Sequence, residues 1–165
     1  MGAAIVYYSM GGNTAMAAKM LAEGTDADLI EIRPEKPYPD RGIRKFLSGG
    51  KSAVAAETPK LAPYIFLPDK YDLIVFGFPI WAGNLTPPLR TFVMENRETL
   101  EGKRVAAFAC RSGNGGEKAF VSLRSCLGNR PLEATMTLND PKDRPNPENA
   151  EKIATFRAKI LMKDS

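Results

Sequence analysis

The chain is predicted to fold as a doubly wound α/β sandwich built on five parallel strands. Three continuous apolar runs, Ala3 to Tyr8, Leu73 to Phe78 and Val105 to Cys110, have the unbroken hydrophobicity of strands covered on both faces. Two alternating runs, Leu29 to Ile32 and Leu132 to Leu138, suit outer strands. Helical patterns at Thr14 to Glu23, Pro87 to Asn96, Glu117 to Leu127 and Pro147 to Met162 separate them, and a strand–helix alternation of this kind implies a parallel sheet with helices on both faces.

The first unit is the most informative. Ile5-Val6-Tyr7-Tyr8 runs into the turn Ser9-Met10-Gly11-Gly12-Asn13-Thr14, and the helix-forming stretch Ala15 to Ala22 follows at once. A helix N-terminus exposes unpaired N–H groups at the positive end of its macrodipole, so an anion there gains hydrogen bonds and a favourable field. Ser9, Asn13 and Thr14 are expected to add side-chain donors, while Gly11 and Gly12 allow close approach of the backbone. A plain turn with Ser or Asn as N-cap uses the same residues. This segment alone leaves both readings open.

After the second strand the rhythm breaks. Residues from about 34 to 68 carry Pro34, Pro37, Pro39, Pro59, Pro63 and Pro68, with room for a short helix at Arg44 to Ala56. A connection of this length within a compact fold is usually functional or has structure of its own, and it is read here as an insertion that replaces or reshapes the second crossover helix. Gly49-Gly50-Lys51-Ser52 has the ending of a Walker A loop, but Lys45 stands where its first glycine belongs and no apolar strand precedes it. A dinucleotide-binding GxGxxG is missing after the first strand. Nor does Tyr7-Tyr8-Ser9 offer the strand-end carboxylates of a phosphoaccepting receiver domain.

In open α/β sheets, ligands sit beyond the carboxyl ends of the strands. Two further strand ends have unusual loops. The third strand leads into Pro79-Ile80-Trp81-Ala82-Gly83-Asn84, which places the sole tryptophan on a loop. The fourth leads into Cys110-Arg111-Ser112-Gly113-Asn114-Gly115-Gly116, whose glycines suit backbone pressed against a planar or anionic group. Taken singly, each reduces to something ordinary: Trp81 packing over the sheet edge, or turn glycines and a turn proline.

Composition narrows the chemistry. With 165 residues and 44% hydrophobic content the expectation is one domain, residues 1–165, with one well-buried core. No apolar run approaches the roughly 20 residues of a membrane span, and the start lacks the basic and apolar regions of a secretory signal. A soluble, cytoplasmic protein is expected. Histidine is absent, which excludes Ser-His-Asp and Cys-His nucleophile systems, an HExxH metal site and imidazole acid–base catalysis. Two cysteines, Cys110 and Cys126, form no CxxC pair and are read as packing residues, Cys126 the more firmly so. Demanding chemistry is therefore expected from a bound cofactor, with no metal site. The net charge of +4 is scattered among 19 acidic residues, with no basic run to mark a nucleic-acid surface.

Together the three loops and the element order resemble the flavodoxin family over most of the chain. Ser9, Gly12, Asn13 and Thr14 match that family's Thr/Ser-x-Thr-Gly-Asn-Thr phosphate loop, with Gly11 in place of the middle threonine and one hydroxyl donor lost. Pro79-Ile80-Trp81-Ala82-Gly83 is similar to the Pro-Ile-Trp-x-Gly loop of short flavodoxin-like proteins, and Ser112 to Gly116 to their Ser-Gly-x-Gly-Gly segment.

The resemblance implies a flavodoxin-like three-layer sandwich with strand order 2-1-3-4-5. It implies noncovalent FMN, its phosphate at Ser9 to Thr14 and its isoalloxazine between the second and third loops. Gly83 is then the candidate flexible peptide near N5. Arg111 either lies near N1, where it would raise the potential, or is solvated or paired with Glu117. Tyr38, Phe46, Tyr64 or a second subunit is the candidate cover for the outer flavin face.

An electron-transfer flavoprotein serving a redox protein or a small-molecule acceptor is the leading function. An NAD(P)H-dependent FMN reductase of quinones or similar acceptors is second, and a flavin-free binding or structural module third. The basic charge departs from the acidic character common among flavodoxins and argues against an interchangeable ferredoxin substitute.

Overall fold

The computed structural model describes residues 2–38, 57–81, 83–111 and 116–161. Five parallel strands, β1 (Gly2–Tyr7), β2 (Asp28–Glu31), β3 (Tyr71–Pro79), β4 (Arg104–Arg111) and β5 (Thr135–Asn139), form one sheet in the order β2-β1-β3-β4-β5. Helices α1 (Asn13–Ala22), α2 (Pro87–Leu100), α3 (Gly116–Cys126) and α4 (Pro147–Ile160) cover it. This is the expected sandwich and the expected strand order. The register runs through Val6, which faces Ile30 on one side and Phe76 on the other, and on through Phe76 to Ala107.

Alternation along the strands divides the core in two. Val6, Tyr8, Phe76, Phe78 and Ala107 face α2 and α3, where they meet Leu89, Phe92, Phe120 and Leu123. Ile5, Val75, Phe108 and Cys110 face α1 and α4, and pack on Ala17, Leu21, Ile153 and Phe156. The near-continuous apolar character of β1, β3 and β4 follows from this double burial.

The last strand begins later than its sequence pattern predicts, at Thr135 rather than Leu132. Hydrogen bonding to β4 already begins at Glu133, whose N–H donates to the Val105 carbonyl at 2.7 Å, while Leu132 packs against the α2/α3 core. Just before the strand, Glu133 is held by Arg104 in a two-pronged ion pair, with both N···O distances 2.7 Å, and Arg104 also donates to the Ile160 carbonyl.

Helix ends are satisfied from a distance. Arg157 of α4 donates to the Met20 and Leu21 carbonyls at the end of α1, and Arg130 donates to Leu100 and Lys103 at the end of α2. Both cations sit at the negative ends of helix dipoles. At the start of α4, Asn146 caps the Asn149 N–H at 2.8 Å, and the buried Asn149 amide pairs with both backbone groups of Asn139.

Between β2 and β3 the described chain has a single 3-10 turn, Pro68–Lys70. An antiparallel bridge joins Pro34 and Leu61, flanked by Glu35 N–H to Lys60 O at 2.7 Å and Ala62 N–H to Arg33 O at 2.8 Å. From there Tyr64 and Phe66 lie over Phe92. The possible helix at Arg44 to Ala56 falls outside the described residues, as does Phe46. No helix among the described residues is long and apolar enough to cross a membrane.

Candidate functional site

Because all five strands are parallel, the loops after β1, β3, β4 and β5 emerge at one edge. The β1 loop carries α1 on an uncapped start. Gly12, at φ 92° and ψ −7°, holds the N-cap position in the left-handed region that favours glycine, and no side chain caps the helix from there. Ser9 Oγ accepts from Ala15 N–H at 3.0 Å, and the Gly12 carbonyl accepts from Met16 N–H at 3.0 Å. Among the described residues no carbonyl takes the N–H groups of Asn13 and Thr14, and the first turn has no acidic residue. Thr14 is 1% exposed, and its Oγ1 has no hydrogen-bond partner although it lies beside the Cys110 thiol at the end of β4.

Asn13 has a different partner from the one its sequence context predicts. Its Oδ1 accepts from Lys142 N–H at 2.9 Å and Asp143 N–H at 3.1 Å, and its Nδ2 donates to Asp143 Oδ2 at 2.9 Å. The carboxamide is thus engaged in joining the β1 loop to the β5 loop. Lys142 Nζ then crosses the turn and donates to the Gly11 carbonyl at 2.8 Å.

In the β3 loop, the Ile80 N–H extends the sheet by donating to the Cys110 carbonyl at 2.9 Å. A tight turn follows, with Trp81 bridged to Asn84 and Gly83 at φ 73°. Trp81 is 6% exposed and makes edge-on contacts with Tyr8 at 5.7 Å and Tyr38 at 5.3 Å between ring centroids. Three aromatic rings from three segments therefore meet beside the first loop. A cleft of about 480 Å³ opens there, lined by Tyr8, Ser9, Met10, Gly12, Arg33 and Tyr38 among others.

The β4 loop is described only at its ends; Ala82 of the second loop and Ser112, Gly113, Asn114 and Gly115 of the third lie outside the described residues. Arg111 is half-buried, its Nε has no hydrogen-bond partner among the described residues, and it forms no ion pair with Glu117. Gly116 starts α3 hard against β5, where a Cβ would stand 2.8 Å from Thr137 Oγ1.

Burial dominates the electrostatics. It pushes the Cys110 thiol up to about 12, against the smaller opposing effect of the Thr14 hydroxyl. It raises Tyr38 to about 12 and raises Tyr8 as well. Each stays neutral near pH 7. Cys126 is half-buried and packs against the α2/α3 core, and Arg90 Nη1 donates to its Sγ at 3.0 Å from α2.

The structure brings Ser9, Thr14, Ile80, Trp81, Cys110 and Arg111 to one edge, with Met10 and Pro79 packed beside them. Tyr64 is elsewhere: its hydroxyl bonds Glu95 at 2.7 Å and Asn96 at 2.9 Å on α2, away from the strand ends. Lys142 and Asp143 are residues that sequence reasoning missed. The signal was the parallel topology itself, since Asn139-Asp140-Pro141-Lys142-Asp143 follows a strand that ends at the same edge.

Comparison with known proteins agrees with this fold. A candidate flavoprotein from Bacteroides eggerthii shares 22% identity and a TM-score of 0.75, with 99% of each chain covered. Another from Bacteroides uniformis shares 26% identity and a TM-score of 0.74, covering 93% of this chain and 97% of its own. A Lactobacillus acidophilus flavoprotein in complex with FMN shares 20% identity and a TM-score of 0.66, covering 86% and 96%. The family model described as flavodoxin matches residues 3–149, nearly the whole described fold and all three loops. The chain belongs to the flavodoxin family.

Proposed function

We propose that this chain binds FMN noncovalently and acts as an electron carrier. The observation that carries the reading is Thr14. Burying an unpaired hydroxyl costs about 1–3 kcal/mol, and at a helix start with two free N–H groups a phosphate oxygen offsets that cost. Ser9, which accepts from Ala15 N–H, ties the loop to the first turn of the same helix.

FMN, when bound, supplies the one- and two-electron redox chemistry. The protein's part is to hold and surround the ring. Tyr8, Tyr38 and Trp81 form an apolar wall beside the first loop, and the turn at Gly83 would offer backbone groups to a ring held there. Burial keeps Tyr8, Tyr38 and Cys110 protonated near pH 7, so none of the three supplies a base there, which suits a carrier that leaves the redox chemistry to the flavin. The net charge of +4 favours a redox partner with an acidic docking face, and two free thiols suit a reducing compartment such as the cytoplasm.

The test is a visible absorption spectrum of the purified protein, with the released cofactor identified. A yellow protein releasing FMN is expected; one that is colourless and takes up no added FMN overturns the proposal. Stopped-flow mixing with NADPH separates carrier from reductase. Bound flavin keeps its oxidised colour if the protein is a carrier, and rapid bleaching overturns that role.

A further inference from the structure

We infer that Lys142, from the loop after β5, is a ligand of the flavin phosphate and the residue that makes the site prefer FMN to uncharged riboflavin. This rests on the FMN reading above. The lysine is built into the first loop. Its backbone N–H is held by Asn13 Oδ1 at 2.9 Å, and its Nζ lies 2.8 Å from the Gly11 carbonyl. Its stem passes so close to Gly12 that a Cβ there would stand 2.9 Å from Lys142 Cδ. Gly12 thus serves the turn twice, by adopting φ 92° and by leaving a channel for this side chain.

The ammonium is held over the start of α1, the same turn that contains the free N–H groups of Asn13 and Thr14 and the buried, unpartnered Thr14 hydroxyl. One Nζ proton goes to Gly11 and the other two remain to be given. Lys142 is in no ion pair among the described residues. The carboxylate next to it in the chain, Asp143, accepts from Asn13 Nδ2 instead. An ammonium so placed, beside main-chain donors and at the positive end of a helix, has a dianion as its natural complement. Where the family's loop has a second threonine hydroxyl, this chain has Gly11, whose carbonyl anchors the lysine.

The experiment titrates apo-protein with FMN and with riboflavin, following quenching of flavin fluorescence, at low and high salt. Lys142→Met is expected to weaken FMN about tenfold, the scale of one charge-assisted hydrogen bond, to leave riboflavin unchanged, and to flatten the salt dependence of FMN binding. Lys142→Arg should keep most of the FMN preference. Unchanged FMN affinity in Lys142→Met overturns the lysine's role while leaving the cofactor assignment standing, and so does an equal loss for both flavins. Failure of the wild-type protein to bind either flavin overturns both. Thermal unfolding of each apo-variant confirms that the loop still folds.

Discussion

The phenyl ring of Phe108 occupies the space where Gly77 would carry a side chain: a Cβ on Gly77 would stand 2.2 Å from Phe108 Cζ. The two face each other across β3 and β4, so the ring lies flat over its neighbour on the α1/α4 side of the sheet. Both residues are buried, Phe108 completely, and neither can give without moving the core. Gly77→Ala is therefore expected to destabilise by about 1–3 kcal/mol, the usual cost of overpacking. In urea unfolding, Gly77→Ala combined with Phe108→Leu should cost less than the sum of the two single changes. Strict additivity would show that the clash is absorbed elsewhere.

Thr14→Val separates binding from stability. Valine keeps the shape and the helix propensity but removes a buried hydroxyl without a partner. Apo-protein stability is expected to stay level or rise by about 1 kcal/mol, while FMN affinity falls about tenfold. Denaturation and fluorescence titration of the same preparation read both effects. A marked loss of stability would mean that the hydroxyl serves the fold.

Stability should decline at alkaline pH. Cys110 is raised from 9.0 to about 12, and Tyr38, Tyr64 and Tyr71 from 10.0 to about 12. Above pH 9 the unfolded chain gives up these protons first while the native protein keeps them, so rising pH favours unfolding. The contribution is intact below pH 9 and is lost progressively towards pH 12. Unfolding midpoints across that interval check the direction. In the native protein at pH 8, iodoacetamide should label Cys126 well before the buried Cys110.

Arg111 offers a buried, unpaired Nε at the end of β4. If that charge lies beside the pyrimidine end of bound flavin, Arg111→Ala should lower the more negative one-electron potential by on the order of 60 mV, a tenfold change in relative binding of the reduced form. Spectroelectrochemistry measures it. An unchanged potential would remove Arg111 from the flavin's surroundings.

The strands and helices were legible because β1, β3 and β4 are buried on both faces, while β2, β5 and the helices are buried on one, so composition and period agree. The boundary of β5 slipped by a few residues, with bonding to β4 starting at Glu133 and the regular strand at Thr135. The site was legible where one loop carries its own signal: Ser9 to Thr14, and Trp81 stranded outside an apolar run. It was not legible where function is shared between distant segments. Nothing in Asn13 announces that its amide reaches Lys142 and Asp143, well over a hundred residues on, and nothing in Tyr38 announces that it meets Trp81 while Tyr64 goes to α2.

The bridge between Pro34 and Leu61, with its flanking bonds at Glu35 and Ala62, has a consequence for how this chain tolerates change. With the neck pinned at its base, length within the loop is cheap: doubling the enclosed length adds only about 0.6 kcal/mol of closure entropy. A change of length between Tyr38 and Glu57 should therefore cost little, provided that Tyr38 keeps its contact with Trp81 and Pro59 its bond from Thr91.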